Sequence, residues 1–354
     1  MAAIHQLSLA RTVAEIRDVV SSAARRLTGA DGATFVLRIG GQCYYADEDA
    51  SSPLWKDQHF PMDACMSGWV MRNRRPAAIE DVCSDVRILQ ADSRPTLVKS
   101  LAMVPIRETA PLGAIGNYWA HRHKPTAQEI ALLQALANST SVAVEAVRIR
   151  EDLAHTGLEV IDRLALAAEY RDDGTHEHTA RVARTSLLLA QAMGLPEDET
   201  TLIGQAAPLH DVGKLAVPDV ILLKPGRLSE AEFGRVKEHT TAGAAILTGG
   251  TSKLLQLAEE IALSHHERWD GSGYPFGLNA ETIPVSGRIV ALADVFDALT
   301  HARPYKSPWS VRAATAEIRR LRGRQFDPLV VDAFLALQPD RLADPPERLY
   351  VGAA

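Results

Sequence analysis

His265-His266-Glu267-Arg268-Trp269-Asp270-Gly271-Ser272-Gly273-Tyr274-Pro275 decides how this 354-residue chain is read. Two adjacent imidazoles lead straight into a loop that only a glycine-rich backbone forms. His210-Asp211 and His239 lie upstream and Asp294 downstream. A single stretch of chain therefore supplies imidazole and carboxylate in the mixture that holds divalent metals.

The surrounding periodicity turns these side chains inward. Ile203, Ala206 and Ala207 lie seven, four and three positions before His210, which places His210 on the apolar stripe of a helix ending at His210-Asp211. His239 follows Val236 by three and precedes Gly243 by four, His265 follows Ala258 and Ile261 by seven and four, and Asp294 follows Val290 and Ala291 by four and three. A lone core histidine bonded to a backbone carbonyl is commoner than a metal ligand. Three inward histidines with two carboxylates, however, would each need separate compensation, and one dinuclear site satisfies them all.

Outward from this site the chain divides. Beyond residue 160 nearly every segment has helical spacing: RVARTSLLLAQAMGLP ends at Gly194 and Pro196, and Ser229 with Glu232 forms a capping-box signature before a helix reaching about Leu247. Segments 254–266, 286–300, 308–321 and 328–337 complete an all-α domain over 160–340, with a tail at 341–354. Upstream, residues 9–28 form an amphipathic helix stopped at Gly29, and 33–39 and 42–46 make a hairpin across Gly40-Gly41. Residues 67–73 read as a short helix, and 101–107 and 113–120 as a second strand pair. Thr126 with Glu129 starts a helical pattern over 127–160 that overlaps the end of this first domain, 1–150. Its apolar stripe would be wet if unpaired, so the spacing predicts a homodimer through this connecting helix, with folding back onto its own domains as the alternative. The fold class is thus multidomain α+β.

Composition sets outer limits. A formal net charge of -6, with 46% hydrophobic and 23% charged residues, gives no field for gripping a nucleic-acid polymer. Cys43, Cys65 and Cys83 show neither Cys-x-x-Cys nor paired disulfide spacing. The N-terminus lacks a signal pattern, and no apolar run approaches the roughly 20 residues of a membrane span. The expectation is a cytoplasmic protein without a membrane partner.

In HDVGKL at 210–215, the isolated His239, HHERWDGSGYP at 265–275, GRIVALADVFDALT at 287–300 and RPYK at 303–306, the chain resembles the HD-GYP family of the HD phosphohydrolase superfamily over roughly residues 160–340. The resemblance implies an all-α HD-type bundle whose metal ligands are His178, His210, Asp211, His239, His265, His266 and Asp294, with Asp211 bridging two divalent cations. It implies hydrolysis of cyclic di-GMP to pGpG, and in some members to GMP, by a metal-bridging water. Family members with a third metal carry glutamate four residues before the first histidine, where this chain has Gly174. A dinuclear centre is therefore expected, with His176 and Glu177 as the alternative compensation. The nitrogen and oxygen set suits iron or manganese ahead of nickel or zinc.

Asp211 and Lys214 are the candidate catalytic residues, Lys214 neutralising charge on the phosphate unless it is a solvated surface lysine. Gly273, Tyr274 and Pro275 would shape the pocket floor and Arg303 and Lys306 grip a second phosphate. Arg288 is a further substrate candidate, for which, as for Asp297, a salt bridge is an equal explanation. Other readings of the site are another cyclic dinucleotide or phosphoester as substrate, or a catalytically weak binding protein. FPMDACMSGWVMRNRRPAAIEDV at 60–82 and the strands at 104–106 and 113–119 make the first domain similar to a GAF domain, an antiparallel sheet flanked by helices. That similarity implies a regulatory role with an unknown small ligand or none. Cys65, Trp69 and Tyr118 are candidate lining residues, with ordinary core and loop positions as the other reading.

Overall fold

Alternation of period two builds the first part of the chain and the 3.6-residue period the rest. The computed structural model describes residues 2–85, 87, 98–171, 177–301 and 307–342. By its internal contacts the chain separates into two units, Met1–Ala154 and His155–Ala354.

In the first unit, α1 (Ala2–Leu9) and α2 (Val13–Thr28) precede β1 (Gly32–Ile39), β2 (Gln42–Ala50), β3 (His59–Pro61), α3 (Met66–Asn73), β4 (Ala77–Ile79), β5 (Ser100–Ile106) and β6 (Gly113–Trp119). The strands form one sheet in the order β3-β2-β1-β6-β5-β4, each neighbouring pair antiparallel. Because side chains alternate across a strand, Phe35, Val104, Ile106 and Ile115 pack on one face with Ile16 and Val20 of α2. Val36, Cys43, Tyr45, Met103 and Tyr118 pack on the other with Val70 and Met71 of α3. Both faces are covered, so β5 and β6 are buried at every position.

The helix α4 (Ala127–Glu169) runs 43 residues and passes Gly157 unbroken. Its start is the expected capping box: the Thr126 N–H donates to Glu129 Oε2 at 2.7 Å and the Glu129 N–H to Thr126 Oγ1 at 3.1 Å. Leu133, Leu136, Ala137, Val144 and Val147 are buried in the first unit's core. Contrary to the expectation of no span-length apolar run, α4 holds an 18-residue window of mean hydropathy 1.4, long and apolar enough to cross a membrane. That window is 44% buried inside the protein. The sequence reading missed it because small and hydroxyl residues such as Ala135, Ser139, Thr140 and Ser141 dilute the run without adding charge.

The second unit is helical: α5 (His178–Ala192), α6 (Glu197–Ala206), α7 (Asp219–Leu222), α8 (Glu230–Lys237), α9 (His239–Leu247), α10 (Lys253–Ser264), α11 (Val285–Thr300), α12 (Val311–Arg320) and α13 (Pro328–Ala336). Its core gathers Leu189, Ile203, Leu209, Ile261, Ile289, Phe296, Phe326 and Phe334, all nearly or fully removed from water. Phe296 and Phe334 meet edge to face with centroids 5.0 Å apart, an aromatic pair worth about 0.5–1.5 kcal/mol beyond its burial.

Two expected helices are broken, each at the site. The helix expected to end at His210-Asp211 stops at Ala206 and continues as a 3-10 turn, Ala207–Leu209, because Pro208 has no N–H to extend the α-helical ladder. The helix expected from Ser229 to Leu247 divides into α8 and α9 at Glu238. There the His239 ring, Thr240 and Thr241 bond to the carbonyls of Val236, Lys237 and Glu238, side chains competing with the helix for its own acceptors.

Candidate metal centre

Breaks in the helices bring the ligand-type side chains together. His178 opens α5, His210 and Asp211 follow the 3-10 turn, His239 opens α9, His265 closes α10, His266 begins the loop beyond it and Asp294 lies within α11. Ring and carboxylate atoms gather into two adjoining groups, Asp211 with His239, His265 and His266, and His178 with His210 and Asp294. Within each group the potential ligand atoms lie within 4.8 Å of one another.

Asp211 faces both groups with different oxygens. Its Oδ1 lies 3.3 Å from His239 Nε2 and 3.7 Å from His265 Nε2, and its Oδ2 lies 3.3 Å from His210 Nε2. In the second group His178 Nε2 lies 3.4 Å from Asp294 Oδ1. The imidazoles crowd around the carboxylate, His265 tilted against His266 at 4.1 Å and His239 edge-on to His266 at 5.0 Å between centroids.

The opposite nitrogens fix the tautomers. His210 Nδ1 pairs with Ala207 O at 2.9 Å, His239 Nδ1 with Val236 O at 2.7 Å, and His265 Nδ1 with Ile261 O at 3.0 Å. His178 Nδ1 pairs with Asp297 Oδ2 at 2.6 Å. A carbonyl only accepts, so each Nδ1 carries the proton and each Nε2 turns a lone pair to the common centre. His178 Nε2, His210 Nε2 and Asp211 Oδ1 are buried without a hydrogen-bond partner. Such atoms are costly to bury unless a cation uses them, so the residues present fit divalent metal.

Electrostatics agrees at Asp211, His239 and His266. At His210 burial opposes a charged ring, but the Asp211 charge outweighs it and pushes the imidazole up to about 9, and a bound cation would displace that proton. Burial opposes ionisation of Asp211, but the Lys214 ammonium and then His210 outweigh it and hold the carboxylate well below its usual range. Burial, joined by its imidazole neighbours, pushes His239 down to about 4 and His266 well below the ordinary histidine range, so both are neutral donors of electron pairs.

Close backbone approach positions the pieces. A Cβ on Gly213 would lie 1.8 Å from the His239 carbonyl oxygen, so the turn carrying Asp211 and Lys214 rests directly on the start of α9. A Cβ on Gly273 would lie 2.4 Å from the Arg268 nitrogen, and the loop folds back on itself there. Glu267, only 3% exposed, pins it by accepting from the Phe276 and Leu278 N–H groups at 2.8 and 3.0 Å.

The other candidates fall as follows. Lys214 Nζ lies 2.8 Å from Asp211 Oδ2. Tyr274 lies against His266 with centroids 4.8 Å apart, and Pro275 follows it through a cis peptide. Arg288 turns away from this group: its Nη1 bonds the buried Asp327 at 2.7 Å and its Nε the Ile283 carbonyl at 2.8 Å. That pairing is the salt-bridge reading of Arg288, with two of its donors bracing α11 against the start of α13. Arg303, Lys306, Gly174 and His176 lie outside the described residues, while Glu177 is exposed and pairs with Arg181 at 3.1 Å.

Asp297, for which the sequence offered a salt bridge as an equal explanation, bonds His178, Arg181 and His301 together. Sequence reasoning missed two further contributors. Lys237 stands over the Phe233 and Tyr274 rings at 4.9 and 5.1 Å. Nothing local in α8 marked Phe233 and Lys237, because only the fold brings them to Tyr274.

Comparison with known proteins finds similarity over both parts of the chain. Residues 164–330 match the HD domain family and residues 10–145 the GAF domain family. The cyclic di-GMP phosphodiesterase response regulator RpfG of Xanthomonas campestris is 44% identical over 241 residues, covering 65% of this chain and 64% of that protein. A cyclic di-GMP phosphodiesterase of Thermotoga maritima is 53% identical over 182 residues, covering 51% and 50%. The 3'3'-cGAMP-specific phosphodiesterase 2 of Vibrio cholerae is 44% identical over 204 residues, covering 58% and 39%. The chain thus spans no more than 64% of the length of any of these three relatives. It carries a GAF domain at residues 10–145 and, following it, an HD domain at residues 164–330.

Proposed function

We propose that the HD domain is a metal-dependent phosphodiesterase that opens cyclic di-GMP to linear pGpG. The observation that carries this reading is the convergence of lone-pair Nε2 atoms on the two oxygens of Asp211. Two divalent cations, iron or manganese by preference, would supply an activated water and charge neutralisation at a phosphodiester. His178, His210 and Asp294 would hold one and His239, His265 and His266 the other, with Asp211 shared.

The protein side chains have separate tasks. Lys214 balances the Asp211 charge at 2.8 Å and stands where it neutralises an incoming phosphate. Burial, with the Asp211 and Asp294 charges, pushes the Tyr274 hydroxyl well above its ordinary range, so it remains a protonated hydrogen-bond donor beside His266. Phe233, nearly half exposed beside Tyr274 and Lys237, offers a ring face for a base and an ammonium for a second phosphate.

The similarity to a 3'3'-cGAMP-specific phosphodiesterase at 44% identity keeps the mixed cyclic dinucleotide as the second reading. Incubating metal-loaded protein with both dinucleotides and separating the products distinguishes them. Faster linearisation of cyclic di-GMP, abolished by Asp211→Ala, supports the first reading, and preference for the mixed dinucleotide supports the second.

The GAF domain would act as the regulatory module. On α4, Val142, Ile149, Leu153 and Val160 are all exposed and follow one another by seven, four and seven positions, the spacing of a coiled-coil seam. A homodimer through this helix is the corresponding reading, tested by sedimentation of the full chain.

A further inference from the structure

The end of α4 carries two charged side chains whose hydrogen bonds run to the segments beside the metal ligands. Glu169 closes the helix, and Arg171 lies two residues beyond it. Ala165 and Ala168, on the preceding turn, are buried in the core of the helical unit, so this end of α4 is fixed among the helices that carry the ligands. Neither Glu169 nor Arg171 belongs to the two ligand groups.

Glu169 is 7% exposed, and a buried carboxylate is costly without partners. Its Oε1 accepts the His178 N–H at 3.2 Å and its Oε2 the Thr179 hydroxyl at 3.0 Å. The first N–H groups of a helix have no partner within it, and its N-terminus favours negative charge. α5 begins at His178, and among the described residues Glu177 at its N-cap makes no side-chain cap. Glu169 supplies that cap from nine positions back, and the residue it caps is itself a ligand. His178 is thus held at its backbone by Glu169 and at its ring by Asp297.

Arg171 acts on the carboxylate that faces both groups. Its Nη1 donates to the Lys214 and Leu215 carbonyls at 3.2 and 2.8 Å, and its Nη2 to the Val217 carbonyl at 3.0 Å. Asp219 pairs with the same guanidinium. These carbonyls lie at the end of the 3-10 turn Val212–Ala216, of which Asp211 is the N-cap. A planar guanidinium spans several acceptors at fixed angles, which an ammonium does not reproduce. The grip therefore sets the turn on which Asp211 and Lys214 stand.

We propose that Glu169 and Arg171 are positioning residues of the metal centre, one fixing His178 and the other the Asp211 turn. Together they make the end of α4 set how His178 stands relative to the carboxylate that both cations share. The inference rests on the dinuclear reading of the site.

The test titrates manganese(II) into the full chain, freed of metal, against a chromogenic chelator that resolves the two binding steps. Glu169→Ala should weaken one step about 10–100-fold and leave the other near the parent value, because His178 serves one cation. Glu169→Gln keeps an acceptor for the His178 N–H and a polar partner for Thr179, and should bind close to the parent. Arg171→Ala should weaken both steps, because Asp211 is shared, and so should Arg171→Lys, a milder change that keeps the charge and loses the fork. Parent-like affinity at both steps in the Glu169→Ala and Arg171→Lys chains overturns the inference. An equal loss at both steps in Glu169→Ala also overturns it, since that assigns the carboxylate to folding alone. A parent chain that binds no manganese instead sinks the dinuclear reading, and the inference with it.

Discussion

Buried polarity is handled in opposite ways in the two units. On the α3 face of the sheet, buried hydroxyls find one another: Tyr118 meets Thr34 at 3.1 Å and Tyr45 meets Ser67 at 3.2 Å. Among the described residues of the first unit the unpartnered atoms, on Ser21, Asn117 and Gln134, sit on three different elements. In the helical unit, three of the four such atoms among the described residues, on His178, His210 and Asp211, lie around one point, and the fourth is on Ser186 of α5. A single orphaned atom is a modest cost absorbed by the fold, whereas converging orphans amount to a binding site. The lesson is to ask where unsatisfied atoms point, and not how many there are.

The sharpest break of this comparison is Asp211→Ala. Removing the one carboxylate that faces both groups should take diester hydrolysis below detection and strip bound metal, while circular dichroism of the helices changes little. Retained metal with full turnover would mean that the converging atoms serve packing alone. Next in size is Phe35→Ala, at the fully buried centre of the sheet unit, which should cost about 3–5 kcal/mol of that unit's stability. It should lower the first unfolding transition in calorimetry and leave metal content per chain unchanged. Loss of metal from this variant would contradict the separation of the two kinds of burial.

Asp297→Asn probes the support behind the ligands. The amide cannot pair with both Arg181 and the His178 Nδ1 proton as the carboxylate does, so metal affinity should fall about 10–100-fold. Competition with a chromogenic chelator measures it, and excess metal should restore much of the activity. Phe233→Ala should do less, raising the KM for cyclic di-GMP by about tenfold through lost stacking. Its kcat and its turnover of bis(p-nitrophenyl) phosphate, which has no base, should be unaltered. Leu153→Lys should have the smallest effect on the active site, shifting sedimentation from dimer towards monomer with turnover by the metal centre preserved.

Much of this was legible in the sequence because the relevant signals are local. The Thr126–Glu129 and Ser229–Glu232 boxes involve residues three apart and appear as read. The inward direction of His239, His265 and Asp294 followed from one helical period. Pro208 stands in the sequence as well, but the apolar period that continues across it carries the expected helix on to Asp211. The strands β3 and β4, three residues each, are too short to show alternation and exist only because β2 and β5 offer them an edge. Arg288 illustrates the remaining gap: it sits in a functional-looking segment, but its partner Asp327 is 39 positions away, and no spacing rule reaches that far.

The most direct measurement is metal content of the full chain purified without oxygen, followed in the same preparation by a cyclic di-GMP time course. The account predicts about two divalent ions per chain shared through one carboxylate, linear pGpG as first product, and loss of both metal and product in Asp211→Ala. A chain that linearises the dinucleotide at full rate while binding no metal would contradict it.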